Sequence, residues 1–166
     1  MQVAEPMFDA DGRNPRVAII YSSPADHDTM AQAGAMLSRF GVPYDEQSLS
    51  PHRAPRALAD WMAELEPRGI EVVIAGSSGA AALAGVVAAH TTLPVIGVPL
   101  STGGLDGREA LLGLTQLPPG VPVAAVGIDN AMNAAVLAVQ VLAVADPMLR
   151  TRLWRFKDDF EKAARH

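Results

Sequence analysis

The chain contains no cysteine. Disulfides and thiolate metal centres are therefore excluded, and a reducing cytoplasm is the compartment that fits. Positive charge is in deficit: 13 Lys and Arg stand against 18 Asp and Glu, for a net charge of -5. No basic stripe is present. A polyphosphate backbone needs one, so nucleic acid is not an expected partner. No uninterrupted apolar run is long enough to cross a bilayer. The longest, near residues 131–145, is broken by Asn133 and Gln140 and followed by Asp146. No membrane partner is expected. The first residues, MQVAEPMFDADGRN, carry acids early and lack a basic-then-apolar signal pattern. Residues 1–15 read as a short flexible leader. Repeats, linkers and a second domain are absent. His27 and His90 have no partner at metal-ligand spacing and read as surface residues. No metal site is expected.

The 166 residues suffice for one domain with one sizeable core, and 49% hydrophobic against 19% charged is an ordinary globular balance. Apolar runs alternate with helical periodicity. Residues 16–21 (RVAIIY) form a short buried strand. Met30, Ala33, Leu37 and Phe40 then fall at helical spacing, and Gly41-Val42-Pro43 ends that helix. A second strand is predicted over 44–49. Leu58, Trp61, Met62 and Leu65 mark a second helix, closed near Pro67 and Gly69. Further strands are predicted over 71–76, 94–98 and 123–126. Helices are predicted between them, near 108–115, and over 130–144. A final helix over 148–164 carries Leu149, Leu153, Phe156 and Phe160 on one stripe. Strands that are apolar throughout suit a parallel sheet covered on both faces. The expected fold is a single doubly wound α/β domain, in which ligands sit beyond the carboxyl ends of the strands.

The loops after the strands are therefore where function is sought. They read Ser22-Ser23-Pro24-Ala25-Asp26, then Ser50-Pro51-His52-Arg53-Ala54-Pro55, then Gly76-Ser77-Ser78-Gly79-Ala80, then Pro99-Leu100-Ser101-Thr102-Gly103-Gly104. Small residues ahead of a helix expose N–H groups that suit an anion such as phosphate, and Arg53 adds a bidentate cation. Each residue alone admits a plainer role. Ser23 and Asp26 suit helix N-caps, Gly76 and Gly79 suit turns, His52 suits a structural role, and Arg53 suits a solvated surface charge. Together they suit a small phosphorylated ligand and one acid–base step at His52.

These loops resemble those of the class I PurE family, the N5-carboxyaminoimidazole ribonucleotide mutases of purine biosynthesis. The family's G-S-x-S-D aligns with Ser22 to Asp26, its S-A-H-R-T-P with Ser50 to Pro55, and its A-G-A-G-G-A-A-H-L-P-G with Ala75 to Gly85. Leu93-Pro94-Val95-Ile96-Gly97-Val98-Pro99, Gln116-Leu117-Pro118, Gly120-Val121-Pro122-Val123 and Asn133-Ala134-Ala135 match in order and spacing. The resemblance spans about residues 16–145.

It implies a flavodoxin-like three-layer αβα domain over 16–145. A C-terminal helix over 146–166 extends to a neighbouring subunit of a homo-octamer. It implies transfer of a carboxylate from the exocyclic nitrogen to C4 of the imidazole, with no cofactor. The partners implied are the ribonucleotide and CO2. His52 is implied as the catalytic acid–base. Ser23, Asp26, Ser50, Arg53, Gly76, Ser77, Ser78 and Gly79 are implied as substrate-binding.

The chain departs from the family pattern inside the site. Ser22, Ala25 and Pro51 replace a glycine, a serine and an alanine. His27 stands where an aromatic is usual, and Ala82 where the third loop carries a second histidine. Ser101 to Gly104 and Ile128-Asp129-Asn130 also differ. Three alternatives accompany the mutase: a related carboxylase or decarboxylase acting on another phosphorylated heterocycle, the AIR carboxylase branch that uses free CO2 and lacks that histidine, and a non-catalytic nucleotide-binding protein.

Overall fold

The computed structural model describes residues 14–164. Three strands are buried along their whole length: β1 (Val17–Tyr21), β3 (Val72–Ser77) and β4 (Val95–Pro99). Their β-branched side chains suit a pleated surface, and helices cover both of its faces. β2 (Tyr44–Ser48) lies at one edge and is largely half-buried, which matches its polar sequence YDEQS. β5 (Ala124–Ala125) lies at the other. The five strands are all parallel, in the order β2-β1-β3-β4-β5. The order reverses between β1 and β3, and this opens a crevice at their carboxyl ends.

The helices are α1 (His27–Arg39), α2 (Pro55–Ala63), α3 (Ala82–His90), α4 (Arg108–Thr115), α5 (Ala131–Leu142) and α6 (Pro147–Ala164). One core unites Met30, Leu37 and Phe40 of the first helical segment with Ile19, Ile74 and the alanines 131, 134, 135 and 138 of α5. The opposite core unites Ile20 and Val73 with Leu58, Leu83 and Leu114 from α2, α3 and α4. This is a three-layer αβα sandwich. Each fully buried Ile or Leu contributes roughly 1.5–3 kcal/mol of transfer free energy, and the alanines let α5 lie close to α1.

Two helical segments end where glycine takes a positive φ. After α1, Gly41 (φ +66) donates to the Ser38 carbonyl at 2.9 Å, and Val42 to the Leu37 carbonyl at 3.0 Å. This paired pattern satisfies the last carbonyls of the helix. Gly69 repeats it with Glu66 and Leu65, although regular α2 stops at Ala63 and a turn carries buried Leu65.

Several expected boundaries shift. β3 takes in Ser77, which the sequence placed in a loop. β4 moves one residue on, to Pro99. The strand expected over 123–126 is regular only at Ala124 and Ala125, although the Val126 N–H still donates to the Gly97 carbonyl at 3.1 Å. The stripe on α6 is docked over half its length. Leu149 and Leu153 are buried and Phe156 packs on Phe40 at 5.2 Å, but Phe160 is 61% exposed. Among the described residues no helix is long and apolar enough to cross a membrane. Most of the leader expected over 1–15 lies outside the described residues; Pro15, at its end, is buried.

Candidate active site

The chain leaves β1 through Ser22 and Ser23 into a single 3-10 turn, Pro24–Asp26. Ser23 is extended, and its hydroxyl accepts the Ala25 N–H at 3.3 Å, so it caps this turn. Asp26 follows at the start of α1 and is 1% exposed. Its Oδ1 accepts the Thr102 hydroxyl at 2.8 Å. Its Oδ2 is buried and has no hydrogen-bond partner among the described residues.

After β2 the chain makes a turn braced by prolines 51 and 55. Ser50 closes it twice: its Oγ accepts the Arg53 N–H at 3.3 Å, and its carbonyl accepts the Ala54 N–H at 2.9 Å. The ring of His52 is exposed. Arg53 reaches back to the first loop, where its Nη2 donates to the Ser22 carbonyl at 2.9 Å. The first and second loops are thus tied together, and His52 and Arg53 are both exposed on the second.

The third loop divides its residues between two tasks. Gly76 and Ser77 are buried at the end of β3. A Cβ on Gly76 would lie 2.6 Å from Met30 Sδ and 3.1 Å from Leu100 Cδ1, so this glycine admits the packing of α1 and of Leu100 just beyond β4. The Ser77 Oγ accepts the Ala84 N–H at 3.2 Å and holds the first turn of α3. Ser78 and Gly79 are half-buried and stand nearer solvent. Gly79 (φ +56) and Ala81 (φ +52) both adopt left-handed backbone. For an alanine this conformation costs on the order of 1–2 kcal/mol.

The fourth loop lies against three carboxylates. The Ser101 N–H donates to Asp129 Oδ1 at 2.9 Å, and Thr102 donates to Asp26. A Cβ on Gly103 would lie 2.0 Å from Glu109 Oε1 and 3.2 Å from the Gly79 nitrogen. At this glycine the fourth loop passes closely between the Glu109 side chain of α4 and the third loop. Both carboxylate oxygens of Glu109 are buried without a partner among the described residues. Sequence reasoning left Thr102, Glu109 and Asp129 without a role. Their contacts span 76 residues for Asp26 with Thr102 and 28 for Ser101 with Asp129, separations that no local periodicity encodes.

Tyr21, the last residue of β1, donates to Glu46 Oε1 on β2 at 2.8 Å. Burial, this hydrogen bond and the carboxylate charges of Glu46 and Asp26 push its phenol up to about 12. His27 sits beside the pair, its ring edge-on to Tyr21 at 6.3 Å and its Nε2 3.9 Å from Glu46.

The strand ends therefore place Ser23, Asp26, Ser50, His52, Arg53, Ser78 and Gly79 around the crevice where the strand order reverses. Gly76 and the Ser77 side chain lie beneath it. The model of the AIR carboxylase family matches residues 16–163. The chain is 48% identical over 147 residues to the N5-carboxyaminoimidazole ribonucleotide mutase of Mycobacterium tuberculosis strain H37Rv, covering 89% of this chain and 84% of that protein. It is 45% identical over 148 residues to the protein of the same name from Pyrococcus abyssi, covering 89% and 85%. The crystal structure of Treponema denticola PurE superposes with a TM-score of 0.80 at 20% identity, over 90% of this chain and 94% of that one. With its loops, its strand order and these relatives in agreement, the chain belongs to the AIR carboxylase family.

Proposed function

We propose that the protein is an N5-carboxyaminoimidazole ribonucleotide mutase acting in purine biosynthesis. The observation that carries this reading is the second loop. A proline-braced turn presents exposed His52 beside Arg53, and Arg53 is tied to the first loop next to buried Asp26. Arg53, Ser23 and the N–H groups near Ser78 and Gly79 serve the phosphate. Ser50 keeps the turn in shape. Gly76 and Ser77 support the third loop from below.

The chemistry needs one proton carrier. The carbamate N–C bond breaks and releases CO2, while the exocyclic nitrogen takes a proton from the His52 imidazolium. The ring carbon C4 then attacks CO2 and forms the new C–C bond. The C4 proton returns to His52, and aromaticity is restored. No proton or electron is gained or lost overall. Holding CO2 against C4 in a site that excludes water turns a bimolecular capture into a local one. A single imidazole serves both directions because one ring nitrogen can give a proton and later take one back.

The test is incubation of the purified protein with N5-carboxyaminoimidazole ribonucleotide and, separately, with its C4-carboxylated isomer, followed by ultraviolet absorbance. Interconversion that is lost in His52→Asn, with ligand affinity kept, is the expected result. Absence of conversion by a folded protein overturns the reading. Ala82, where the family pattern carries a second histidine, favours one further possibility, the AIR carboxylase branch. Conversion of aminoimidazole ribonucleotide with dissolved CO2, and none of the carbamate, would establish it.

The same reading makes residues 16–145 the catalytic domain, places the protein in the cytoplasm, and assembles it as a homo-octamer through the C-terminal segment 146–166, which carries α6. Val144, Met148, Trp154 and Phe160 are all more than half exposed. A shallow apolar pocket of about 330 Å³ lies between α5 and α6, against Ala143, Leu153 and Trp154. Surface of this kind suits a second copy of the chain. A monomeric mass in light scattering at micromolar protein would overturn the assembly.

A further inference from the structure

The ribonucleotide reading gives Asp26 to the ligand, yet its carboxylate lies under a cover. The residue is 1% exposed, its Oδ1 accepts the Thr102 hydroxyl at 2.8 Å, and its Oδ2 is buried with no hydrogen-bond partner among the described residues. The bond joins the loop after β1 to the loop after β4. These strands are not neighbours, because β3 lies between them. The contact therefore spans the width of β3 at the carboxyl edge of the sheet, where the crevice opens. On either side of Thr102 the backbone is held. The Ser101 N–H donates to Asp129 Oδ1 at 2.9 Å, and a Cβ on Gly103 would lie 2.0 Å from Glu109 Oε1 and 3.2 Å from the Gly79 nitrogen. What is free to change is the side chain of Thr102, an exposed residue that turns about one single bond. A carboxylate only accepts hydrogen bonds, so a ligand hydroxyl and the Thr102 hydroxyl offer it the same thing. An oxygen this covered has no approach for a second donor while the first is in place.

We propose that Thr102 is a latch on Asp26. Its hydroxyl holds the carboxylate in place of a ligand hydroxyl, and rotation of its side chain hands the carboxylate over on binding. The inference rests on the ribonucleotide reading, from which Asp26 takes its ligand role, and adds how the aspartate is kept until it is used. A buried carboxylate with no donor destabilises a fold. The latch keeps Asp26 hydrogen-bonded and shuts other donors and cations away from it. The ligand must displace Thr102 before it gains Asp26, so the latch lowers affinity while it protects the site.

The experiment measures the dissociation constant of the C4-carboxylated isomer by calorimetry, and Tm without ligand, in the wild type, Thr102→Ser, Thr102→Ala, Asp26→Asn and the double variant. Thr102→Ser retains the donor and is expected to keep the wild-type constant. Thr102→Ala is expected to bind roughly three- to tenfold more tightly, the range of one net hydrogen bond, and to melt at a lower temperature because Asp26 has lost its donor. Combined with Asp26→Asn, it brings no such gain. A Thr102→Ala variant that binds as the wild type does, or more weakly, overturns the latch and leaves the mutase reading standing, since a threonine that only supports the site cannot improve binding by its loss. A double variant that binds more tightly than Asp26→Asn overturns the latch too, because the gain then does not pass through the aspartate. A folded wild type that does not bind the isomer overturns the mutase reading, and the latch with it.

Discussion

Arg53 Nη2 donates to the Ser22 carbonyl at 2.9 Å and joins the loop after β2 to the loop after β1. The guanidinium has further N–H groups to spare, so it can hold this carbonyl and a phosphate together. Lysine keeps the charge but not the fork. Arg53→Lys is expected to raise KM for the ribonucleotide by roughly 10- to 100-fold, the equivalent of one charge-assisted hydrogen bond, with a smaller change in kcat. Steady-state kinetics decide it. An unchanged KM would remove Arg53 from phosphate binding.

Gly76 leaves no room for a methyl group, since Met30 Sδ would lie 2.6 Å from it. Gly76→Ala is expected to cost about 1–3 kcal/mol through displacement of Met30 and Leu100. The measurement is the urea midpoint, which should fall without a change in slope. A variant as stable as the wild type would show that Met30 moves aside freely.

The Tyr21 phenol is pushed up to about 12 by burial, by its hydrogen bond to Glu46 and by the neighbouring carboxylate charges. The folded state therefore favours the neutral phenol. Its contribution to stability is complete below the unfolded value of about 10 and is lost as pH rises through about 12. The absorbance difference at about 295 nm between the wild type and Tyr21→Phe isolates this group. Its midpoint is expected near 12, and lower in Glu46→Gln, where the charge is gone. A midpoint near the ordinary tyrosine value would contradict the buried geometry.

Asp146 accepts the N–H groups of Leu149 and Met148 at the start of α6 and pairs with Arg16 at 3.0 Å. The Leu149 N–H leads the effects that hold its carboxyl below the usual range. Its stabilising contribution is present above the ordinary carboxylate value and lost as pH falls through the depressed folded one. Asp146→Ala should lower Tm at neutral pH, and the gap from the wild type should close as pH falls through that depressed value. A gap independent of pH would assign the loss to packing alone.

The layers of the fold were legible because they rest on local pattern. Val17 to Tyr21 and Val72 to Ala75 are apolar without interruption, and Met30, Ala33, Leu37 and Phe40 recur at helical spacing; all are buried where expected. The proline-braced turn with His52 and Arg53 was legible for the same reason. Packing beyond the sequence neighbourhood was not. Gly76 looked like a turn former or a phosphate cradle, and only the position of Met30 shows what it makes room for. Ser77 looked like a loop hydroxyl, yet it continues β3 and holds the Ala84 N–H. Phe160 falls on the same helical stripe as Leu149, but the domain beneath α6 ends before reaching it, so periodicity identified a face without showing how far it is covered.

The position of β1 inside the sheet has a consequence for synthesis. Val17 is the first strand residue to leave the ribosome, but its partners are Tyr44 on one side and Val72 on the other. Arg16 waits longer still, because Asp146 follows 130 residues later. At about 5–20 residues per second that delay is on the order of ten seconds. A nascent chain halted before Thr102 already carries the residues assigned to phosphate and proton transfer, but it has nothing to satisfy Asp26. The fourth-loop side of the crevice is thus made after the side that carries His52 and Arg53.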